Sequence, residues 1–255
     1  MKVGAYSYIG GLRGENQDRY GVLPNLWIVA DGMGGCNGGA HAATLAVQVL
    51  SDFPFDSDQP DESIRKAMSQ ANEVIFQESS SDPALQGMGT TLTLAYLVGQ
   101  TVHIGHVGDS RVYLVRDHQI SQLTQDHSFV GELLRDGTIS PEDALTHPNR
   151  NILTRAIGVS PTINVDLYTQ EILLADVLIL CTDGVSGVLT DQELLAIVES
   201  DEDPQRVAET MCRQAERQGG TDNATAIVVN FLPPADGYSL ELALESLVSP
   251  DLTLV

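Results

Sequence analysis

Between Thr91 and Leu123 four β-branched, apolar-rich segments follow one another with almost nothing between them, and no other stretch restricts the fold as much. They are Thr91–Val98, Thr101–Val107, Arg111–Arg116 and Gln119–Leu123, joined by Gly99-Gln100, Gly108-Asp109-Ser110 and Asp117-His118. A parallel crossover needs a dozen or more residues, so connections this short force antiparallel pairing. Around this meander the pattern predicts further strands over Leu26–Ala30, Val165–Thr169, Val177–Thr182 and Asn223–Phe231. Helical spacing recurs in Ala43, Ala46, Val47 and Leu50, and after Pro60 in Ile64, Ala67, Met68 and Ala71. Thr190-Asp191-Gln192-Glu193 reads as a capping box, and Ala208, Met211, Cys212 and Ala215 give a later helix its apolar stripe. Asp126 to Asp136 and the start Ser140-Pro141-Glu142-Asp143 read as helical, with irregular chain from there to about Ser160. Runs of strands separated by paired helices argue against βαβ winding and for an α+β fold, with helices packed outside the sheets.

Composition narrows the function classes. A hydrophobic share of 42% in 255 residues supports a sizeable core, while 13 Lys+Arg against 35 Asp+Glu leave a net charge of -22. That charge opposes phosphate backbones and anionic membranes, so neither nucleic acid nor a membrane is expected as a partner. No apolar run approaches the ~18 residues of a membrane span, and the amino terminus has no secretory h-region. Three separated cysteines, Cys36, Cys181 and Cys212, build neither a disulfide framework nor a Cys-x-x-Cys site, so a cytoplasmic location is expected. A single domain over residues 1–232 is the economical reading. Residues 233–255, opening with Pro233-Pro234 and carrying Asp236, Glu241, Glu245 and Asp251 without Lys or Arg, are expected to be a disordered acidic tail rather than a docked helix.

Five aspartates fall where strands begin or end: Asp18, Asp31, Asp109, Asp183 and Asp222. Taken singly, Asp beside Gly is more often a turn residue. Asp31-Gly32 and Asp183-Gly184, however, both directly follow buried-looking strands. Carboxylates gathered at strand ends repel one another unless cations neutralise them, and oxygen-only ligation suits Mg²⁺ or Mn²⁺ rather than zinc. Arg13 lies five residues before Asp18 in Arg13-Gly14-Glu15-Asn16-Gln17-Asp18, and a guanidinium offers a phosphate two parallel donors. An exposed loop arginine is the competing reading. Other chemistries fail on inspection: Gly32-Met33-Gly34-Gly35-Cys36-Asn37 lacks the third glycine of a dinucleotide fingerprint, no Gly-Lys-Ser/Thr exists, and neither Ser160 nor Ser186 sits in a nucleophile elbow.

Six blocks together carry a family resemblance. They are Arg13-x-x-Asn16-x-Asp18, Val29-Ala30-Asp31-Gly32-Met33-Gly34-Gly35, Met88-Gly89-Thr90-Thr91, Gly108-Asp109-Ser110-Arg111, Cys181-Thr182-Asp183-Gly184 and Gly219-Gly220-Thr221-Asp222-Asn223. With them the chain resembles the metal-dependent protein phosphatases, the type 2C serine/threonine phosphatases, in compact bacterial form. The resemblance implies a four-layer αββα sandwich of two mainly antiparallel sheets, with two Mn²⁺ or Mg²⁺ ions at one end and a flap over about Asp126 to Ser160 beside them. It implies that Asp31 bridges the ions, that the Gly32 carbonyl, Asp18, Asp183 and Asp222 complete the set, and that Asp109 with Asp183 forms a weaker third site. It gives Arg13 the substrate phosphate, and it implies in-line attack by a water shared between the cations, without a phosphoenzyme.

The implied substrate is a phosphoserine- or phosphothreonine-bearing protein, and the expected state is a monomer. Some relatives carry a histidine after the Asp-Gly or after the Gly-Gly; Met33 and Cys36 stand there in this chain, and His41 is given no role, so the general acid is unassigned. Two alternatives stay open: a non-catalytic phosphoprotein-binding signalling module of the same fold, and a phosphatase dedicated to one bacterial regulator. Loss of a metal-site aspartate or of Arg13 would favour the first, and all are present.

Overall fold

Alternation along the central strands sorts their side chains into three apolar layers. In the strand Leu26–Met33, Leu26, Ile28 and Ala30 face one layer while Trp27 and Val29 face another. The strand Val177–Cys181 does the same, with Leu178 and Leu180 on one side and Ile179 and Cys181 on the other. Both strands are therefore buried on two faces, which is why they read as unbroken apolar runs.

The computed structural model describes residues 1–33, 38–140, 143–144, 147–232 and 253–254. The strands are β1 (Lys2–Tyr8), β2 (Asp18–Val22), β3 (Leu26–Met33), β4 (Gly89–Thr90), β5 (Leu92–Val98), β6 (Thr101–Val107), β7 (Arg111–Arg116), β8 (Gln119–Gln122), β9 (Asp166–Glu171), β10 (Val177–Cys181), β11 (Ala224–Asn230) and β12 (Thr253–Leu254). The helices are α1 (Gly39–Asp52), α2 (Pro60–Ser81), α3 (Phe129–Arg135), α4 (Asp183–Ser186), α5 (Asp191–Ser200) and α6 (Pro204–Arg217). One sheet runs β1-β11-β10-β7-β8; the other runs β12-β2-β3-β5-β6-β9, with β4 paired to β3. Every neighbouring pair is antiparallel.

Trp27, Val29, Ala95 and Leu97 of one sheet meet Val112, Leu114, Leu178, Leu180, Ile227 and Val229 of the other to form the middle core. Helices α1 and α2 cover the larger sheet, and α5 and α6 cover the smaller. The result is the four-layer αββα sandwich. Among the described residues no helix is long and apolar enough to cross a membrane.

Several local expectations shift. The short connection Gly108-Asp109-Ser110 does not close a hairpin: β6 pairs with β5 and β9 in the larger sheet and β7 with β10 and β8 in the smaller, so the turn crosses between the sheets and the expected antiparallel run is two hairpins on facing layers. β3 does not stop at Asp31 but runs on through Gly32 to Met33, because β4 extends the pairing with Gly32 opposite Thr90 and Met33 opposite Gly89. Gly34, Gly35 and Cys36 lie outside the described residues. The helix expected from Asp126 begins only at Phe129, where the Ser128 side chain accepts the Gly131 N–H at 3.1 Å. The capping box at Thr190 forms, with Thr190 Oγ1 accepting the Glu193 N–H and Glu193 Oε2 accepting the Thr190 N–H. Pro141 and Glu142 lie outside the described residues, as does the tail apart from Thr253 and Leu254, which pair with Val22 and Gly21.

Candidate active site

Antiparallel pairing brings five strand termini to one end of the sandwich. Asp18 opens β2 and sits directly opposite Asp31 on β3. Asp109 follows β6, Asp183 follows β10 and Asp222 precedes β11.

Asp18 and Asp31 are held by neighbours most of which lie in the sequence blocks. Asp18 belongs to the larger sheet, yet its Oδ2 accepts hydroxyl bonds from Thr182 (2.8 Å) and Thr225 (2.6 Å) of the smaller one. Ser7 bonds Thr225 at 2.8 Å and Asn16 bonds Ser7 at 2.8 Å, so a hydroxyl chain continues behind the carboxylate. The backbone of Asp31 is fixed by Thr90 and Thr91: the Asp31 N–H donates to Thr91 Oγ1, and Thr90 Oγ1 and the Thr91 N–H both donate to the Asp31 carbonyl, all at 2.9 Å. Asn223 clamps the loop that carries Arg13, donating to the carbonyls of Ile9 and Glu15 and accepting the Gln17 N–H. Gly184 lets α4 approach that clamp, since a Cβ there would lie 1.8 Å from the Asn223 carbonyl oxygen.

The electrostatics are those of a site built for cations. Burial, with the charges of Asp183 and Asp222 adding to it, pushes Asp18 up to about 7 against the pull of its two hydroxyl donors. Burial likewise holds Asp31 well above the usual carboxylate range, followed by the charges of Asp18, Asp183 and Asp109. Asp109 is raised by burial and by Asp183 and Asp126, and Asp183 by burial and by Asp222.

Two buried carboxylate oxygens, Asp18 Oδ1 and Asp183 Oδ1, have no hydrogen-bond partner among the described residues. A buried charge-bearing oxygen without a donor is costly, and a hard divalent cation is the partner that an all-oxygen set accepts. Among the described residues no three acidic, histidine or cysteine side chains already converge to chelate one ion. The fit therefore rests on donor chemistry and mutual repulsion rather than on a finished cage.

Arg13 lies at the rim, half-exposed, with Nη2 on Asp222 Oδ2 at 2.5 Å. Its guanidinium thus touches one of the expected ligands. Gly32 continues β3, its N–H donating to the Gln17 carbonyl at 3.3 Å. His41 Nε2 pairs with Glu78 Oε2 at 2.6 Å. The supporting residues Ser7 and Thr225 carried no sequence signal beyond being polar positions in apolar strands, whereas Thr90, Thr91, Thr182 and Asn223 stood inside the quoted blocks without an assigned task.

A model of the family described as protein phosphatase 2C matches residues 12–232, and the chain belongs to that family. It is 39% identical over 231 residues to the serine/threonine phosphatase stp of Listeria monocytogenes, covering 86% of this chain and 92% of that one. It is 35% identical to protein phosphatase PhpP of Streptococcus pneumoniae, over 91% and 98%. Among solved structures, the Mycobacterium tuberculosis serine/threonine phosphatase PstP/Ppp superposes with a TM-score of 0.85 at 33% identity, over 91% and 98%. The catalytic domain of PstP in complex with two manganese ions does so with a TM-score of 0.82 at 31% identity, over the same shares. The chain is a metal-dependent protein serine/threonine phosphatase, a hydrolase acting on phosphoproteins.

Proposed function

We propose that Asp18, Asp31, the Gly32 carbonyl, Asp183 and Asp222 hold two Mn²⁺ or Mg²⁺ ions, that Asp109 with Asp183 holds a weaker third, and that Arg13 binds the phosphoryl group of a phosphoserine or phosphothreonine protein substrate. The carrying observation is the pair of buried oxygens on Asp18 and Asp183 that have no hydrogen-bond partner among the described residues, amid carboxylates that burial and mutual repulsion disfavour as anions. When bound, such ions supply positive charge for the phosphoryl oxygens and acidify water enough to act as nucleophile at neutral pH.

The chain's own groups orient this chemistry. Thr182 and Thr225 occupy Asp18 Oδ2 and leave Oδ1 for ligation. Thr90 and Thr91 fix the Asp31 backbone, so its carboxylate is presented from a rigid strand. Arg13 uses one of its five N–H donors on Asp222 and keeps the rest of its fork for a phosphate. His41 is committed to Glu78, which supports leaving it without a catalytic role and leaves leaving-group protonation to water.

The test is release of phosphate from p-nitrophenyl phosphate and from phosphoserine and phosphothreonine peptides, with Mn²⁺, Mg²⁺ or excess EDTA, in the wild type and in Asp31→Ala. Activity confined to the metal-supplied wild type is expected. Full turnover in EDTA, or in Asp31→Ala, would overturn the assignment.

A further inference from the structure

His127 lies at the entrance to the 126–160 segment, 1% exposed, and no part of the proposed chemistry uses it. Its contacts converge on one residue. The Gly108 N–H donates to His127 Nδ1 at 3.1 Å, and the His127 N–H donates to the Gly108 carbonyl at 2.7 Å. Gly108 is therefore gripped at both its polar groups by a single residue, immediately before Asp109. It has φ +116°, and a Cβ there would lie 2.6 Å from Thr91, so the turn accepts neither another residue nor an easy shift.

The grip has a fixed tautomer. Because Nδ1 accepts from Gly108, the ring proton sits on Nε2 and points at Asp166 Oδ2, 3.0 Å away. Asp166 is itself held by both Nη atoms of Arg155, at 2.6 and 3.1 Å. His127 also joins the two ends of the segment, since its carbonyl accepts the Thr154 N–H at 2.8 Å and Ser128 bridges Leu153. On the other side of the turn, Arg111 forks onto Asp126, the residue before His127. The ring of His106, fully buried, packs against that of His127 with centroids 4.6 Å apart.

We infer that His127 is a positioning residue for the Asp109 carboxylate: Arg155 and Asp166 set its tautomer, and its Nδ1 locks the Gly108-Asp109 turn to both ends of the 126–160 segment. The inference rests on the reading of Asp109 as a ligand of the weaker ion. Its consequence is that the loss of one hydrogen-bond acceptor, on a residue that is not itself a candidate ligand, weakens cation capture at Asp109. Partners that orient ligands in this way typically cost about 10–100-fold in affinity when removed.

The discriminating variants are His127→Asn and His127→Gln, because the asparagine oxygen stands near the place of Nδ1 while the glutamine amide stands near that of Nε2. Both are measured with His127→Ala and Asp109→Asn. Mn²⁺ binding is followed by calorimetry, and kcat and KM for p-nitrophenyl phosphate are followed across Mn²⁺ concentration, with thermal melting as the folding control. His127→Ala is expected to weaken the weakest Mn²⁺ event about 10–100-fold, with KM at saturating Mn²⁺ within about twofold of wild type. His127→Asn is expected to recover most of that loss and His127→Gln little of it. If His127→Ala does not fold, the order of asparagine above glutamine carries the test. Equal impairment of these two, or a wild-type Mn²⁺ profile in His127→Gln, would overturn the inference. If Asp109→Asn leaves the Mn²⁺ profile unchanged, the ligand reading of Asp109 has failed instead, whatever the His127 variants do.

Discussion

Thr225 donates to Asp18 without being a candidate ligand, and Val is nearly its shape. Thr225→Val should therefore keep the fold and lower metal affinity or kcat by about 10–100-fold. An unchanged Mn²⁺ titration would show the hydroxyl to be only structural. Arg13 is half-exposed, so Arg13→Ala should raise KM for phosphopeptides by an amount at the low end for a charge-assisted contact, about 1.5 kcal/mol or roughly tenfold. Arg13→Lys should recover only part of this, because lysine keeps the charge and loses the fork; full recovery in steady-state kinetics would argue against bidentate binding. His106 supplies a pH prediction. Its Nε2–H donates to the Gln125 carbonyl and its Nδ1 accepts from Thr93, and burial lowers its pKa from 6.5 to about 3. The unfolded chain binds a proton there as pH falls through 6.5 while the folded one resists until about 3, so this contribution is whole above 6.5 and lost between the two values. Measured by denaturant unfolding at pH 7 and pH 4, the wild type should lose a few kcal/mol more than His106→Gln does. Equal losses would place the imidazole in a less secluded site.

At the scale of elements, α5 offers a clean separation of stability from chemistry. Thr190→Ala removes the hydroxyl that accepts the Glu193 N–H, keeps the backbone N–H that Glu193 accepts, and should cost about 1 kcal/mol in unfolding free energy while leaving kcat/KM untouched. A fall in kcat/KM would mean that α5 supports the site. The same helix shows what sequence pattern can convey: its cap is local, as is the apolar stripe of α6, and both were legible. So were the hairpins β5–β6 and β7–β8 and the five aspartates that gather at one end of the sandwich, but not the link between the hairpins, where Gly108-Asp109-Ser110 carries the chain from one sheet to the other. Less legible were β1 and β2. β1 is half-buried with mixed residues, and it exists because β11 offers a full edge from Lys2 opposite Asn230 to Tyr8 opposite Ala224. The extension of β3 to Met33 was hidden for the same reason, since the two residues of β4 that demand it lie more than fifty positions away. The ion pair of Arg13 with Asp222 and the Asn223 clamp also join residues some two hundred positions apart, beyond the reach of any periodicity.

Across the whole molecule, a site of mutually repelling carboxylates implies that cations stabilise the fold as well as the reaction. Mn²⁺ at a hundred times its dissociation constant should add about 2.7 kcal/mol per site, a rise in melting temperature of roughly 5–10 °C relative to EDTA. Scanning calorimetry with and without the ion checks this, and coincident transitions would show that nothing is bound. The bridge from Asp18 on one sheet to Thr182 and Thr225 on the other carries an evolutionary consequence. Were a lineage to abandon catalysis and drift at Asp18, two buried hydroxyls on the opposing layer would lose their acceptor together. Such a lineage would retain a descendant of the carboxylate long after its chemistry was gone, or would replace three positions in concert.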